Sequence, residues 1–395
     1  MDRQPELGQF TADRESLCQA ETLQYGRQLI LSEVGMEGQL ALRRARVLVV
    51  GAGGLGSPVL LYLAAAGVGT LGVVEYDRVE RSNLHRQILF DAAAVGQPKV
   101  DAAVQRIQAL NPFVRVEPHA AQLTTDNAFD LIAQYDIVVD ATDNFAARYL
   151  INDSCVLLGK PNVSASILRF DGQLSVFWPG RGPCYRCLYP SPPPKELAPS
   201  CAEAGVLGVL PGIFGTLQAN EVLKLILGVG ETLVGRLLLL DALAMEFKTL
   251  HIARDPDCAI CSPKAARHGL ARVEHFCTLQ AQPSESPVAQ VPGITPVELH
   301  HRLEAGAATF LLDVRSSSEH EIARIPEAFL IPLAQLSEKL RDIPRHLPIV
   351  CVCHKGARSR RAAQLLRDEG YAEVYSLEGG IDAWSQDVDI SVARY

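Results

Sequence analysis

Apolar positions along the chain fall into recurring strand and helix patterns. Leu23, Leu29, Ile30 and Leu40 stand among polar neighbours within residues 1 to 45, around Tyr25-Gly26-Arg27, a spacing that predicts helix. Arg46-Val47-Leu48-Val49-Val50 is a β-branched run, Gly51 to Gly56 a tight turn and Ser57 to Ala66 a helix former. Leu71 to Val74 predicts a second strand and Asp136 to Asp140 a later one, with helical stretches between. Such alternation predicts a parallel sheet covered on both faces. From Ser262 to Pro292 the periodicity dissolves into Ala, Gln, Pro, Ser and Glu, the pattern of a linker. Alternation then resumes, with strands at Phe310 to Val314, Ile349 to Val352 and Val374 to Leu377 and a helix from Ser359 to Glu369. The expected organisation is a large α/β domain at 1–262, a linker at 263–291 and a smaller α/β domain at 292–395.

Composition narrows the function classes. At 395 residues the chain exceeds what one core comfortably organises. With 48% hydrophobic and 21% charged residues it is neither disordered nor fibrous. A net charge of -8 argues against a broad nucleic-acid surface, which needs clustered Lys and Arg. Ala204 to Asn220 carries no charge, but Pro211, four glycines and the following Glu221 and Lys224 favour a buried loop and helix over a membrane span. The start, Met1-Asp2-Arg3-Gln4-Pro5-Glu6, lacks the charged-then-apolar pattern of a signal peptide, which predicts a cytoplasmic chain. Its ten cysteines then read as metal ligands, nucleophiles or core residues rather than disulfides.

Gly51-Ala52-Gly53-Gly54-Leu55-Gly56 fits G-x-G-x-x-G between a strand and a helix, where backbone N–H groups approach phosphate. Glu75 ends the second strand, where an acid can hold ribose hydroxyls. Alone, this pair suits a nicotinamide or flavin dehydrogenase. Arg86, in Ser82-Asn83-Leu84-His85-Arg86-Gln87, and Lys99, in Gly96-Gln97-Pro98-Lys99, change that picture. Two side-chain cations suit a triphosphate whose oxygens gain charge during transfer. Asp143, in Asp140-Ala141-Thr142-Asp143-Asn144 at the end of a central strand, is placed to hold Mg²⁺ against those phosphates.

Cys184-Tyr185-Arg186-Cys187 and Cys258-Ala259-Ile260-Cys261 are two C-x-x-C knuckles, which together supply four thiolates for structural Zn²⁺. Cys201 follows a proline-rich stretch and reads, on residues alone, as a buried structural cysteine. Cys353, in Cys353-His354-Lys355-Gly356-Ala357-Arg358-Ser359, lies between a strand and a helix, where loop N–H groups and the helix dipole favour thiolate and persulfide. Phosphatase loops need C-x5-R, but Ser359 occupies that sixth position. Cys351, within the strand, should point elsewhere and pack as core.

In their order, the motifs from Tyr-Gly-Arg27-Gln to Asp143-Asn144 resemble the ubiquitin-activating, or E1-like, superfamily, and within it the enzymes that activate sulfur carriers. The resemblance covers residues 20 to 262 and implies a doubly wound, Rossmann-like adenylation domain with a zinc knuckle. It implies Mg-ATP binding by Gly54, Glu75, Asn83, Arg86, Lys99 and Asp143, with Ser82, Leu84, His85 and Asn144 in the same binding segments. Arg27 would reach the phosphates of a neighbouring subunit in a homodimer, and Cys201 would carry the acyl group as a thioester or join a transient disulfide. Glu75 departs from the family's usual Asp.

The C-x-x-G-x-R-S loop resembles single-domain rhodaneses across residues 292 to 390. Leu312-Asp313-Val314-Arg315, Arg324-Ile325-Pro326-Glu327-Ala328 and Gly379-Gly380-Ile381-Asp382-Ala383-Trp384 match that family in order, with Glu327 in place of the usual Gly. It implies Cys353 as the sulfur-carrying nucleophile. The whole chain resembles the molybdopterin-synthase sulfurylase group. That resemblance implies ATP-dependent adenylation of a small ubiquitin-like β-grasp carrier ending in Gly-Gly, then persulfide transfer from a donor such as a cysteine desulfurase or thiosulfate. The product would serve molybdopterin, cysteine, thiamine or tRNA thiolation, with neither nucleic acid nor membrane as partner. Two rivals are a nicotinamide-dependent oxidoreductase with an accessory rhodanese domain and a non-enzymatic sulfur-relay scaffold.

Overall fold

The computed structural model describes residues 16–193, 205–265 and 291–394. The chain divides into two compact units, Met1–Pro283 and Ser284–Tyr395.

The first unit opens with α1 (Gln19–Leu29) and α2 (Gly35–Arg44). Strands β1 (Arg46–Val50) and β2 (Thr70–Val74) flank α3 (Gly56–Ala66). Then come α4 (Lys99–Leu110), β3 (Arg115–His119), α5 (Ala128–Ala133), β4 (Ile137–Asp140) and α6 (Phe145–Leu158). After β5 (Asn162–Leu168) and β6 (Asp171–Phe177) follow the one-turn α7 (Tyr185–Leu188), α8 (Val209–Leu227), β7 (Arg236–Asp241) and β8 (Glu246–His251). The sheet order is β3-β2-β1-β4-β5-β6-β7-β8. Val47, Leu48, Val49, Ile137, Val138 and Val139 are fully buried, which is why the central strands read as unbroken apolar runs.

The expected parallel sheet holds only for β1 to β5. β6, β7 and β8 continue it antiparallel. The reason is local: Arg169, at φ 55°, and Phe170 turn the chain tightly between β5 and β6, so no helix crosses between them. β8 is exposed along its whole length, so this part of the sheet is not covered on both faces.

The uncharged stretch at 204–220 leads into α8, whose Leu210, Phe214, Ala219 and Val222 pack in the core. Glu221 is buried on the same helix, where its carboxylate accepts from the Leu233 N–H at 2.8 Å and pairs with Lys224. No helix among the described residues is long and apolar enough to cross a membrane.

The second unit is a five-stranded parallel sheet of order β11-β10-β12-β13-β9. Its elements are β9 (Gly293–Ile294), α9 (Pro296–Glu304), β10 (Phe310–Asp313), α10 (Ser317–Ile322), β11 (Phe329–Leu330), β12 (Ile349–Val352), α11 (Ala357–Asp368), β13 (Val374–Leu377) and α12 (Gly380–Asp387). Buried Asp313 and Arg315 brace it: Arg315 Nε donates to Asp313 Oδ1 at 2.9 Å and Nη2 to the Ala323 carbonyl at 2.6 Å. Glu327 takes the left-handed φ of 67° that a glycine would adopt without strain.

Candidate active sites

Parallel pairing of β1 with β2 and β4 brings the loops after these strands together at one edge of the sheet. The glycine turn follows β1. A Cβ on Gly56 would stand 1.9 Å from the Gly51 carbonyl oxygen, so only glycine lets α3 start against the turn. The loops enclose a cavity of about 1000 Å³, lined by Gly54, Glu75, Arg86, Lys99, Asp143 and Asn144 among others.

Glu75, buried, ties the turn together. Its Oε2 accepts from Ala52 N–H at 3.1 Å, and its Oε1 from Tyr76 and Asp77 N–H at 2.9 and 3.0 Å. The longer acid thereby reaches the glycine turn itself. Lys99 is drawn in because its N–H bonds the Asp77 carbonyl and Val79 N–H bonds Gln97, which zips residues 77–79 to 97–99. Its Nζ lies 3.2 Å from Asp77 Oδ2.

Arg86 Nη1 lies 3.0 Å from the Ser82 carbonyl and 2.9 Å from His85 Nε2. A guanidinium only donates, so His85 must accept as neutral imidazole. Desolvation and then the Arg86 charge push the His85 pKa down, in keeping with that role. Tyr76 is pushed up by desolvation and by Asp77, Glu75 and Asp143, three carboxylates that line the same cavity. Beneath them, buried Asp140 accepts from Thr142 N–H and Oγ1 at 3.1 and 2.6 Å and from Ser164 Oγ at 2.8 Å. Asn144 caps α6 by accepting from Ala147 N–H at 2.9 Å.

Ser82, Asn83, Leu84 and His85 stand outside the cavity lining. Asn83 is buried and works on its own turn, its Oδ1 accepting from Glu80 N–H at 3.2 Å. Arg27 is exposed on α1 and does not line the cavity of its own chain. Cys201 lies outside the described residues. Gln87, which closes the motif that Ser82 opens but to which the sequence assigned no role, does line the cavity.

The two cysteine knuckles, 74 residues apart, meet. Cys184 Sγ lies 3.9 Å from Cys187 Sγ and 3.6 Å from Cys258 Sγ, and Cys187 Sγ lies 3.4 Å from Cys261 Sγ. All four sulfurs fall within 4.8 Å of one another, a donor set that fits a tetrahedral Zn²⁺. Hydrogen bonds from Cys184 and then Cys261 push the Cys258 thiol down, which favours thiolate there. The residues between the ligands anchor the first knuckle to α6. Arg186 Nε and Nη2 donate to Asp153 Oδ1 and Oδ2 at 2.8 and 2.7 Å, and Tyr185 N–H donates to Asn152 Oδ1 at 2.8 Å.

In the second unit, Cys353 follows β12 and is 1% exposed. Its Sγ accepts from Gly356 N–H at 3.1 Å and lies 3.4 Å from Ser359 Oγ, beside the N-terminus of α11. The loop's carbonyls turn the other way: Ile381 N–H donates to Cys353 O at 2.8 Å and Asp382 N–H to His354 O at 3.2 Å. A Cβ on Gly380 would stand 2.3 Å from the Cys353 carbonyl oxygen, so this brace requires glycine. Arg358 donates both Nη groups to Glu319. Cys351 is buried core, and burial pushes its thiol pKa up. It joins the same core cluster as Cys353, so the end of β12 at Val352, rather than opposite sheet faces, gives the two cysteines different surroundings.

A profile of the ThiF family matches residues 25–260. The chain belongs to that family. A rhodanese-like domain matches residues 295–387. Among curated relatives of this ThiF-family chain, the probable adenylyltransferase/sulfurtransferase MoeZ of Mycobacterium tuberculosis is 45% identical over 386 residues, covering 96% of this chain and 97% of its own. The adenylyltransferase and sulfurtransferase MOCS3 of Aedes aegypti is 42% identical, with 93% of this chain and 88% of its own covered. The Sus scrofa protein of the same name is 43% identical, over 97% and 89%. This chain is accordingly an enzyme with adenylyltransferase and sulfurtransferase activity. The crystal structure of E. coli MccB with ATP shares its fold, with a TM-score of 0.54 at 22% identity over 60% of this chain and 74% of that one. Nothing found favours the nicotinamide-dependent reading.

Proposed function

We propose that the first unit adenylates the C-terminal glycine of a small ubiquitin-like carrier and that Cys353 of the second unit supplies sulfur to the activated carboxyl. The observation that carries this reading is the single cavity lined by the glycine turn, Glu75, Arg86, Lys99 and Asp143. It is supported by relatives named for both activities over nearly their whole length.

The carrier's carboxylate oxygen attacks the α-phosphorus of ATP and pyrophosphate departs, leaving an acyl-adenylate. Arg86 and Lys99 bind the phosphate chain and stabilise the charge that develops on it. Glu75 fixes the glycine turn and faces the ribose. Asp143 would hold Mg²⁺, which neutralises phosphate charge when bound. The terminal sulfur of a Cys353 persulfide, loaded from a cysteine desulfurase or thiosulfate, then attacks the acyl carbon and AMP leaves. The Cys201 thiolate attacks Cys353 Sγ in the acyl-disulfide, which releases the carrier thiocarboxylate and forms a disulfide that an external thiol reduces. Gly356 N–H and the α11 N-terminus favour the anionic sulfur.

The cysteine cluster would hold Zn²⁺ as a closed structural site. Arg27 would serve the neighbouring subunit of a homodimer. A cytoplasmic setting keeps these thiols reduced. Mass spectrometry of candidate carriers after incubation with ATP and thiosulfate tests the reading: a carrier whose terminal carboxyl has become a thiocarboxylate supports it. Carriers unchanged by the wild-type chain while AMP forms from another acceptor would contradict it.

A further inference from the structure

We propose that Ser376 is a positioning residue for sulfur transfer: its hydroxyl donates to Ser359 Oγ and so keeps the Ser359 hydroxyl set to donate to the Cys353 sulfur when that sulfur is anionic. The proposal rests on reading Cys353 as the sulfur-carrying nucleophile. Three side chains form a line into the sulfur loop. Ser376 Oγ, on β13, lies 2.8 Å from Ser359 Oγ, on the first turn of α11, and Ser359 Oγ lies 3.4 Å from Cys353 Sγ. Parallel pairing sets Ser376 opposite Cys351 of β12, which is how a residue of the next strand comes within reach of α11. All three groups are buried.

Counting protons fixes which way the line runs. A hydroxyl has one proton to give and two lone pairs to accept with. Ser359 Oγ lies 3.0 Å from the Gly356 carbonyl oxygen, so its proton has an acceptor there. Ser376 Oγ has Ser359 Oγ as its single hydrogen-bond partner among the described residues. Were Ser376 to accept from Ser359, its own proton would be buried without an acceptor, the costly arrangement that folded chains avoid. Ser376 is therefore the donor.

The same count shows what the line is for. As a thiol, Cys353 gives its proton to Ser359 Oγ. As a thiolate or persulfide it has none to give and needs donors, of which Gly356 N–H, at 3.1 Å, is one. The Gly356 carbonyl also accepts from Arg360 N–H and Arg360 Nε, each at 3.2 Å, so it stays paired when the Ser359 hydroxyl swings from it to the sulfur. Donation from Ser376 continues throughout, and a hydroxyl that accepts a hydrogen bond is a stronger donor in turn. Ser376 thus favours the anionic sulfur without touching it.

Iodoacetamide alkylation of Cys353 in the full chain, followed across pH by mass spectrometry of the Cys353 peptide, tests this in wild type, Ser376→Ala and Ser376→Thr, with each melting temperature recorded. The charged groups around the loop, Lys355, Arg358, Glu319 and Asp382, and the neighbouring His354 are common to all three chains. The Ser376→Ala profile should be displaced to higher pH by about half a unit to one unit, the equivalent of one net hydrogen bond, with a plateau no lower than that of wild type. Ser376→Thr, which keeps the hydroxyl, should follow wild type. In a Ser359→Ala background, Ser376→Ala should add no further displacement, because the relay is already cut. A Ser376→Ala profile that coincides with wild type, one that is lowered equally at every pH, or a full further displacement in the Ser359→Ala background would overturn the proposal and leave Cys353 as the nucleophile. A wild-type chain that takes up no sulfur on Cys353, from thiosulfate or from a cysteine desulfurase, would overturn that reading and this proposal together.

Discussion

Arg358 and Glu319 face each other in a two-armed ion pair, Nη1 to Oε2 at 2.7 Å and Nη2 to Oε1 at 2.6 Å, joining the sulfur loop to α10. Burial raises the Glu319 pKa, but Arg358 and Ser316 outweigh it and hold the carboxyl down at about 2. A carboxylate depressed in the folded state adds stability that is present above its unfolded pKa and lost as pH falls through the folded one. The second unit should therefore lose stability between about pH 4.5 and 2 through this pair. Glu319→Gln should destabilise it by about 1–2 kcal/mol at neutral pH, after solvent screening of a partly exposed pair, and flatten the acid limb. Chemical denaturation across pH checks both. An equal acid limb in the variant would remove Glu319 as its source.

Glu327 holds a left-handed φ of 67° with a side chain that disfavours it. Glu327→Gly should stabilise the second unit by about 1 kcal/mol, because relief of the steric cost exceeds the added freedom of the unfolded chain. A lower melting temperature would mean that the glutamate makes up the strain elsewhere.

Four sulfurs within 4.8 Å predict one tightly held Zn²⁺ per chain, measurable by elemental analysis. Cys258→Ser should purify with less than half of that zinc and melt roughly 5 °C or more lower, since metal binding is coupled to folding. Full zinc occupancy in the variant would exclude Cys258 as a ligand.

The parts of this fold that depend on short-range pattern were legible in the sequence. Arg46–Val50 and Ile137–Asp140 form central strands because burial on both faces demands apolar runs, and the glycine turn between β1 and α3 announces itself by residue type. β8 was not legible, since Glu-Phe-Lys-Thr-Leu-His lies exposed at a sheet edge and carries no strong pattern. Glu75 was picked out as a ribose acid, but the bond it accepts from the Ala52 N–H in the glycine turn appears only once β2 is set beside β1. Gln87 and Glu319 escaped because their meaning comes from what they face, a cavity and an arginine distant in sequence.

The adenylation account is tested most directly by ATP–pyrophosphate exchange with a carrier ending in Gly-Gly. Arg86→Ala and Lys99→Ala should each lower exchange by about a hundredfold or more, the scale of losing a charge-stabilising group. Cys353→Ala should exchange like wild type, because sulfur enters after pyrophosphate has left. Exchange that survives in Arg86→Ala and Lys99→Ala, or that vanishes in Cys353→Ala, would contradict the account.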